Sequence, residues 1–559
     1  MATKTDTPEV LVVGAGPVGL TMACELARHG VPCRIVDENP GPTDQSRALG
    51  VQARTLEVFE DVGVVDEVLA EARKLHGFAA FADGRRIAHV TYDLEGLETP
   101  YPFLLILPQG RTEHILAERL SSHGIEVERG TKLQAMTQDG PGVSATLVDA
   151  EGKASEVRVP WLIGCDGARS VVRKALGLSF EGAEYEESFL LADVKLDWDR
   201  PEDEITAFLA PEGQFIAFPF HEPGRWRLVL VSFGPVEAAD AEPSKVVALF
   251  QAKLHEQGHA EAVVSDPTWT SAFRIHRRVA GQFREGRCFV AGDAAHIHSP
   301  AGGQGMNTGI QDAYNLAWKL ALVIRGDSPD ALLDSYSAER RPVALGVIHG
   351  TDLATRIVAL RNPVARAVRD RLASLVGEFD FVARRLSKVL SELDVEYRRS
   401  PIVLEDAGGP LRVGVADAHA FHAGPRPGDR VPDVPLEPPD GTDGPLRLFE
   451  VLRGTKHVLL VFEGAHGVEA PGPFEAVRDL VREHAGRIEA HLVARGDVAP
   501  PWIAWEGPVL LDHLGELHRH FGARGPCLYL VRPDGYLGYR AMPLDAGKLA
   551  DYLRRVFVG

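Results

Sequence analysis

Six residues near the start of the chain, Gly14-Ala15-Gly16-Pro17-Val18-Gly19, have the types and spacing needed to hold a diphosphate against the backbone. A pyrophosphate must approach main-chain atoms closely, which most side chains would prevent. Gly14 supplies the tight turn, Gly16 leaves room for phosphate, and Gly19 lets helix pack close on strand. Pro17 and Val18 open a helix whose free amides and positive dipole end would face the phosphate. Asp37, 23 residues beyond Gly14, with Glu38 beside it, offers a carboxylate to ribose hydroxyls. A glycine turn that merely packs a helix is the alternative reading, and the motif alone does not tell one dinucleotide from another.

The elements around these residues suit that chemistry. Glu9 to Val13 is a short apolar run, Val18 to His29 has a helical pattern, and Cys33 to Val36 is a second strand. This βαβ unit opens a doubly wound α/β sheet. Further strands, Trp161 to Gly164 and Cys288 to Ala291, lead into Asp166-Gly167 and Gly292-Asp293. Ser188 to Val194, Gln214 to Phe220 and Arg225 to Phe233 are β-rich with aromatics and suggest a largely antiparallel layer. Ser328 to Lys388 is helical and charge-laced, and Gly408 to Gly444 crowds prolines with glycines, as linkers and surface loops do. Beyond it, His457 to Phe462 and Cys527 to Val531 are apolar strands and Glu475 to His484 is a helix, a small α/β domain.

The chain has 559 residues, room for three or four domains at about 150 residues each. Its formal charge of −19 disfavours nucleic acid and anionic membrane surfaces as partners. The five cysteines, Cys24, Cys33, Cys165, Cys288 and Cys527, are widely spaced without a CxxC or a Cys/His cluster, so neither a disulfide framework nor a metal site is expected. The first eight residues lack the basic and apolar regions of a signal peptide, and no apolar run reaches the ~18 residues that span a bilayer. The expected location is the cytoplasm.

Two further motifs separate the possible dinucleotides. One runs Gly164-Cys165-Asp166-Gly167-Ala168-Arg169-Ser170-Val171-Val172-Arg173. The other runs Gly286-Arg287-Cys288-Phe289-Val290-Ala291-Gly292-Asp293-Ala294-Ala295-His296 and continues as Pro300-Ala301-Gly302-Gly303-Gln304-Gly305-Met306-Asn307. Together with the first motif they resemble, over about residues 9 to 345, the single-component (class A) FAD-dependent aromatic hydroxylases. Phenol hydroxylase, p-hydroxybenzoate hydroxylase and the aromatic polyketide hydroxylases typify that family.

The resemblance implies FAD as cofactor and NADPH or NADH as a transient co-substrate, since a second glycine motif for a nicotinamide dinucleotide is absent. It implies that Asp293, beside Gly292, holds a ribityl hydroxyl. Pro300, Gly302, Gly303 and Gln304 would pass beside the flavin ring. Gly305, Met306 and Asn307 would open an amphipathic helix with Met306, Ile310, Ala313, Ala317 and Leu320 as its buried stripe. Its N-terminal dipole would stabilise the anionic reduced flavin. Asp166, Gly167 and Arg169 resemble the motif tied to the pyrophosphate and to NAD(P)H. Arg47 and Gln109 match positions near the flavin phosphates and ribose, and Arg111 adds positive charge there.

The family's chemistry, an electrophilic flavin C4a-hydroperoxide attacking an electron-rich ring, needs a dry pocket. Phe215, Phe218, Phe220 and Trp226 are pocket candidates, of which alternation lets about half face inward. No general base stands out among His221, His276, His296 and His298. His296 reads as structural, Arg274 lies near His276, and Tyr185 is a further pocket candidate. The last domain resembles the thioredoxin-like end of phenol hydroxylase through Val531-Arg532-Pro533-Asp534-Gly535-Tyr536 and Arg540, approached through Gly428 to Asp433. With Cys527 alone, dithiol exchange is excluded and a packing or homodimerisation module is expected.

The expected organisation is an FAD-binding domain over 1–180, with an excursion near 78–105, then a β-sheet substrate domain over 181–267. The FAD-binding domain resumes over 268–400, a Pro/Gly-rich linker spans 401–444, and a thioredoxin-like domain without CxxC spans 445–559. The expected activity is hydroxylation of a phenolic or polycyclic aromatic substrate by dioxygen and NAD(P)H. Baeyer–Villiger or epoxidising oxygenation on the same fold is the nearest alternative, and a non-oxygenating flavin reductase or redox sensor is the more distant one.

Overall fold

Runs of apolar residues flanked by glycine turns become a parallel sheet in the computed structural model. It describes residues 8–42, 48–82, 84–91, 97–210, 213–232, 242–299, 303–358, 388–389, 391–408, 414–436, 446–465, 471–498 and 500–558. The chain divides into two units. The first comprises Met1–Leu97, Tyr101–Tyr314 and Arg341–Leu393, and the second Glu98–Pro100, Asn315–Arg340 and Asp394–Gly559.

In the first unit a six-stranded sheet runs in the order Arg284–Glu285, Cys288–Val290, Trp161–Gly164, Val10–Val13, Cys33–Asp37, Val127–Arg129. All neighbours are parallel except the edge pair 284–285 with 288–290. Val10–Val13 is buried at every position, as a strand covered on both faces must be. The helix Pro17–Arg28 follows it directly, and the chain then returns as the neighbouring strand on one side while Trp161–Gly164 lies on the other. Crevices at such switch points, beyond the strands' C-terminal ends, are where open α/β sheets bind ligands.

The aromatic-rich region forms an eight-stranded sheet in the order His296–Ile297, Val263–Ala280, Phe180–Asp197, Arg225–Ser232, Gly213–Pro219, Glu204–Ala210, Gly77–Ala82, Arg85–Thr91. Only Glu204–Ala210 with Gly77–Ala82 is parallel. The sheet therefore exceeds the expected 181–267: its strand Val263–Ala280 continues past Pro267, and the hairpin Gly77–Thr91 is a full member. Arg274, His276, Arg277 and Arg278 break the apolar alternation that marks a strand while still pairing with Phe180–Asp197. One sheet face lies under the helix Pro243–Glu256, whose Val246, Phe250 and Leu254 pack on Leu190, Phe208, Phe215, Trp226 and Leu228.

The second unit holds a sheet ordered Leu404–Ala407, Leu537–Met542, Cys527–Val531, His457–Phe462, Ile488–Arg495, Val509–Asp512. Helices Gly472–Glu483 and Ala546–Val556 cover one face through Phe474, Val477, Leu549 and Leu553, while Phe421, Leu448 and Phe521 cover the other. The order βαβ then ββα is thioredoxin-like, and all five cysteines of the chain are free thiols.

The linker expected at 401–444 is corrected by this sheet. Leu404–Ala407 pairs in parallel with Leu537–Met542, and the helix Val415–Ala423 buries Phe421. Around Pro425 a buried arginine holds the chain by taking up its carbonyls. Arg540 donates to the carbonyls of Phe421, Gly424 and Pro425 at 2.7, 3.2 and 2.9 Å and pairs with Glu405 at 2.6 Å.

His457 lies in the core of the second unit, its Nε2 without a partner, with Trp318 and Phe557 edge-on to its ring. Burial, aided by the Arg532 charge, pushes its imidazole from 6.5 down to about 3. The unfolded chain therefore binds the proton first as pH falls, so this contribution to stability is present above pH 6.5 and lost between 6.5 and about 3. His457→Phe should flatten the acid side of the profile; melting temperatures of both proteins from pH 7 to pH 4 check it, and parallel curves contradict it.

Candidate active site

The three sequence motifs, far apart along the chain, meet in the first unit. Gly14 has φ of +100°, and a Cβ there would lie 2.4 Å from the carbonyl oxygen of Cys165, so the first motif closes on the second. Gly292, at φ +59°, packs on Val18, whose Cγ2 would be 2.8 Å from an added Cβ. A Cβ on Gly309, in the helix after the glycine loop, would lie 2.6 Å from the same Val18 atom. Gly19 packs against the Gly14 carbonyl as expected.

The geometry fits a dinucleotide. Gly16 is the N-cap of Pro17–Arg28 and no side chain caps that helix, so its first amides stay available. A Cβ on Gly16 would meet only Glu113 Oε1, at 4.0 Å, which is open space where a phosphate must approach. Asp37 accepts from the Ala15 amide at 2.6 Å and from the Asn39 amide at 2.8 Å, tying the strand end to the glycine turn, while Glu38 is exposed. Asp293 is exposed in the one-turn helix Gly292–Ala294.

Asp166 is turned differently from expectation. It accepts from Ser170 Oγ at 2.6 Å and from the amides of Val171 and Val172 at 2.7 and 3.2 Å, so its carboxylate caps the helix Val171–Ala175. Burial holds its pKa up despite those bonds. Gly167 makes the positive-φ turn and Arg169 is exposed beside it.

Gln109 accepts from the Ala48 amide at 3.3 Å and donates to Glu113 at 2.9 Å, close to the glycine turn. Arg111 is corrected. It is exposed and bound through Nε and Nη2 to Glu71 at 2.7 Å each, a surface pair that turns this edge of the guanidinium to Glu71. Arg47, Pro300 and Gly302 lie outside the described residues, as do the side chains of Tyr185 and Arg274.

After the loop, Asn307 donates to the carbonyls of Gly50 and Gly303 at 2.9 and 2.7 Å and accepts from the Gln52 amide at 3.0 Å. Gln304 donates to the Val389 carbonyl at 3.1 Å. The helix Gly305–Ile324 is not amphipathic: Met306, Ile310, Ala313, Ala317 and Leu320 are buried, but so is every residue from 306 to 322. Several of its polar residues find partners, as when Gln311 Nε2 and Thr308 Oγ1 both donate to Glu392.

Three residues had no role assigned from sequence. Asp312, fully buried, accepts from the Gly292 amide at 3.0 Å and from His296 Nε2 at 2.7 Å, which fixes the turn that presents Asp293 and makes His296 structural. Arg173 donates to the carbonyls of Ala294 and Ala168 at 2.8 and 2.9 Å, joining the second and third motifs. Glu113 lies beside Gly16. Arg173 closes the second motif as quoted, so its position was the available signal. Asp312 and Glu113 sit among ordinary helical positions that carry none.

Of the histidines, His298 stands against Gly305, where a Cβ would lie 3.6 Å from its ring, and its Nε2 is buried without a partner. Burial and the neighbouring His296 push it down to about 4, so it is neutral at pH 7. His221 is exposed with Nδ1 3.3 Å from the Ala72 carbonyl, and His276 lies half-buried within the sheet.

The aromatic candidates split by alternation. Phe215 and Trp226 lie on the face under Pro243–Glu256: Trp226 is corrected from pocket to core, while the buried Phe215 also lines a cavity between that face and the helix, with Leu249 and Lys253. Phe218 and Phe220 lie on the other face, half-buried with Phe78, Ile216 and Leu104 over Leu49, Leu75 and Ile106. Val229, Trp269 and Phe273 continue it, also half-buried. Gly50 connects this face to the glycine loop, with Leu104 Cδ1 and the Gly303 carbonyl oxygen 3.7 and 3.9 Å from where its Cβ would be. Among the described residues no group of side chains could hold a metal ion, and no helix is long and apolar enough to cross a membrane.

Residues 7–351 match the FAD binding domain family and residues 424–558 the aromatic-ring hydroxylase C-terminal family. The chain is 39% identical to 6-methylpretetramide 4-monooxygenase of Streptomyces rimosus over 96% of its own length and 91% of that protein. It is 35% identical to pentachlorophenol 4-monooxygenase of Sphingobium chlorophenolicum, over 97% and 95% of the two chains. The crystal structure of aklavinone-11 hydroxylase with FAD and aklavinone is similar at a TM-score of 0.75, with 27% identity and 99% of each chain covered. The chain therefore belongs to the FAD-dependent aromatic-ring hydroxylases and is an aromatic monooxygenase.

Proposed function

We propose that this enzyme inserts one oxygen atom into a polycyclic phenolic ring of the aromatic polyketide kind, with NADPH or NADH as electron donor and dioxygen as co-substrate. The observation that carries the reading is the apolar sheet face of Phe78, Ile216, Phe218, Phe220, Trp269 and Phe273, left half-open on the side of the sheet away from the helix Pro243–Glu256. An apolar face of that kind, continuous through Leu104 and Gly50 with the glycine loop, suits a flat ring system. Relatives named for 6-methylpretetramide and aklavinone point the same way.

Bound FAD supplies the redox and oxygen-activating chemistry. The chain's part is to hold it and keep water from the ring. The free amides of the uncapped first turn of Pro17–Arg28, from Val18 on, would take the pyrophosphate, and Asp37 or the exposed Glu38 the adenosine ribose. Asp293, held out by Asp312, takes the ribityl chain. The N-terminus of the helix Gly305–Ile324, with Gly303, Gln304, Met306 and Asn307, would lie beside the flavin ring, where its dipole would favour negative charge. The nicotinamide binds transiently, since a second glycine motif is absent from the sequence. The sheet from Phe180 to Ala280 with the hairpin Gly77–Thr91 is the substrate domain, and the enzyme works in the cytoplasm.

NAD(P)H oxidation against a panel of simple phenols and fused-ring polyketides, with product mass, tests the reading. Stimulation by fused-ring phenols with gain of one ring oxygen is expected; lactone products, or no stimulated flavin reduction, contradict it. Asp293→Ala should weaken FAD retention about tenfold or more, the scale of one charge-assisted hydrogen bond. Equilibrium dialysis of FAD measures this, and unchanged retention removes Asp293 from the site.

A further inference from the structure

We infer that Arg227 selects substrates carrying an ionisable ring hydroxyl, its free Nη1–H binding the phenolate oxygen; this rests on the hydroxylase reading above. The strand register places Phe218, Arg227, Asp193 and Trp269 side by side on four neighbouring strands. They form one row across the half-open face, with the Arg227–Asp193 pair set between Phe218 and Trp269. Its side chain is almost wholly buried. Nε and Nη2 each donate to an Asp193 oxygen at 2.7 Å, which uses one edge of the guanidinium. The Trp269 and Phe220 rings lie 4.8 and 5.7 Å from its central carbon. Nη1 is buried and has no acceptor.

A buried donor without an acceptor is costly, and native structures leave few of them. This one lies where the substrate ring is proposed to bind. Asp193 already neutralises the guanidinium, so the remaining N–H suits the diffuse charge of a phenolate better than the concentrated charge of a carboxylate. Arginine stays protonated, so the phenol's proton passes to solvent as the ring enters and Arg227 keeps its own. The phenolate ring is the more electron-rich form, the one that an electrophilic oxygen attacks. Binding requires Phe220 or Trp269, both half-exposed, to change rotamer and open the way to Nη1.

The test compares 4-nitrophenol with 4-nitroanisole, which has the same ring but cannot ionise. Both are titrated into the FAD-loaded wild type, Arg227→Met and the double variant Arg227→Met/Asp193→Asn, with bound phenolate read by difference absorbance. The double variant removes both charges and so avoids stranding Asp193. The wild type is expected to prefer 4-nitrophenol by about tenfold or more and to hold it as phenolate below its solution pKa. Both variants should bind the two compounds alike while keeping their FAD. A wild type without preference, or variants that retain it, overturns the role of Arg227. Failure of the hydroxylase reading shows separately, as absence of oxygen insertion into any phenol by a wild type that still prefers 4-nitrophenol.

Discussion

Gly16→Val should yield a folded, colourless protein. Gly16 has φ −75° and ψ −176°, a conformation open to any residue, and a Cβ there meets only Glu113 Oε1 at 4.0 Å. The substitution therefore costs the apoprotein little beyond a poorer helix N-cap, about 1 kcal/mol. Its branched side chain instead fills the space a pyrophosphate must enter to reach the uncapped amides of Pro17–Arg28. FAD affinity is expected to fall roughly 100-fold or more, about 2.7 kcal/mol. Gly14→Ala is the contrasting change. Its left-handed backbone and the Cys165 carbonyl 2.4 Å from the new Cβ make it a folding defect rather than a binding one. Flavin absorbance per chain and the melting temperature of the flavin-free protein distinguish the two. A yellow, stoichiometric Gly16→Val protein contradicts the assignment.

Glu339→Ala should cost the second unit about 3–5 kcal/mol, the usual consequence of breaking a buried ion cluster from one side. Glu339 is buried and accepts from Arg532 at 2.7 and 3.0 Å, from Lys319 at 2.7 Å, from Asn315 at 2.7 Å and from Ser400 at 2.6 Å. Arg532 also pairs with Asp534, so two cations and two carboxylates close the cluster. Burial works to raise the Glu339 carboxyl, but Arg532 and Lys319 prevail and hold it well below the usual carboxylate range. Burial outweighs Glu339 at Lys319, whose ammonium is brought down to about 8. Removing Glu339 strands Lys319 against Arg532. Replacing Lys319 and Glu339 together by Met leaves the Arg532–Asp534 pair intact and should be far milder, since apolar substitutes for a buried pair are tolerated. Urea midpoints of the single and double variants measure the difference, and equal losses contradict it. The Arg-Pro-Asp-Gly turn is an anchor for Glu339 and for the back half of the helix Gly305–Ile324.

Much of the FAD site was legible because it is built from backbone. Gly14, Gly16, Gly19 and Gly292 are glycines for reasons of space, and space at fixed intervals leaves a mark in sequence. Asp312 and Glu113 left none, because a buried carboxylate inside a helix shows its purpose only when the chain 20 or 97 residues away folds against it. Alternation said that half of Phe215, Phe218, Phe220 and Trp226 face the site but not which half. The helix Pro243–Glu256 decides that by packing on one face. The proline-rich segment read as a linker because its strand partner, Leu537–Met542, lies over a hundred residues away. Arg111 was placed at the phosphates by likeness, whereas Glu71, distant in sequence, claims it.

Distant glycine-bearing segments gather into one cradle that fits a single flavin. The direct measurement is the FAD content of the wild-type protein purified from its native expression without added cofactor, by absorbance and by mass of the released nucleotide. One FAD per chain is the expected result. A colourless chain that takes up no FAD when the cofactor is supplied in excess contradicts it.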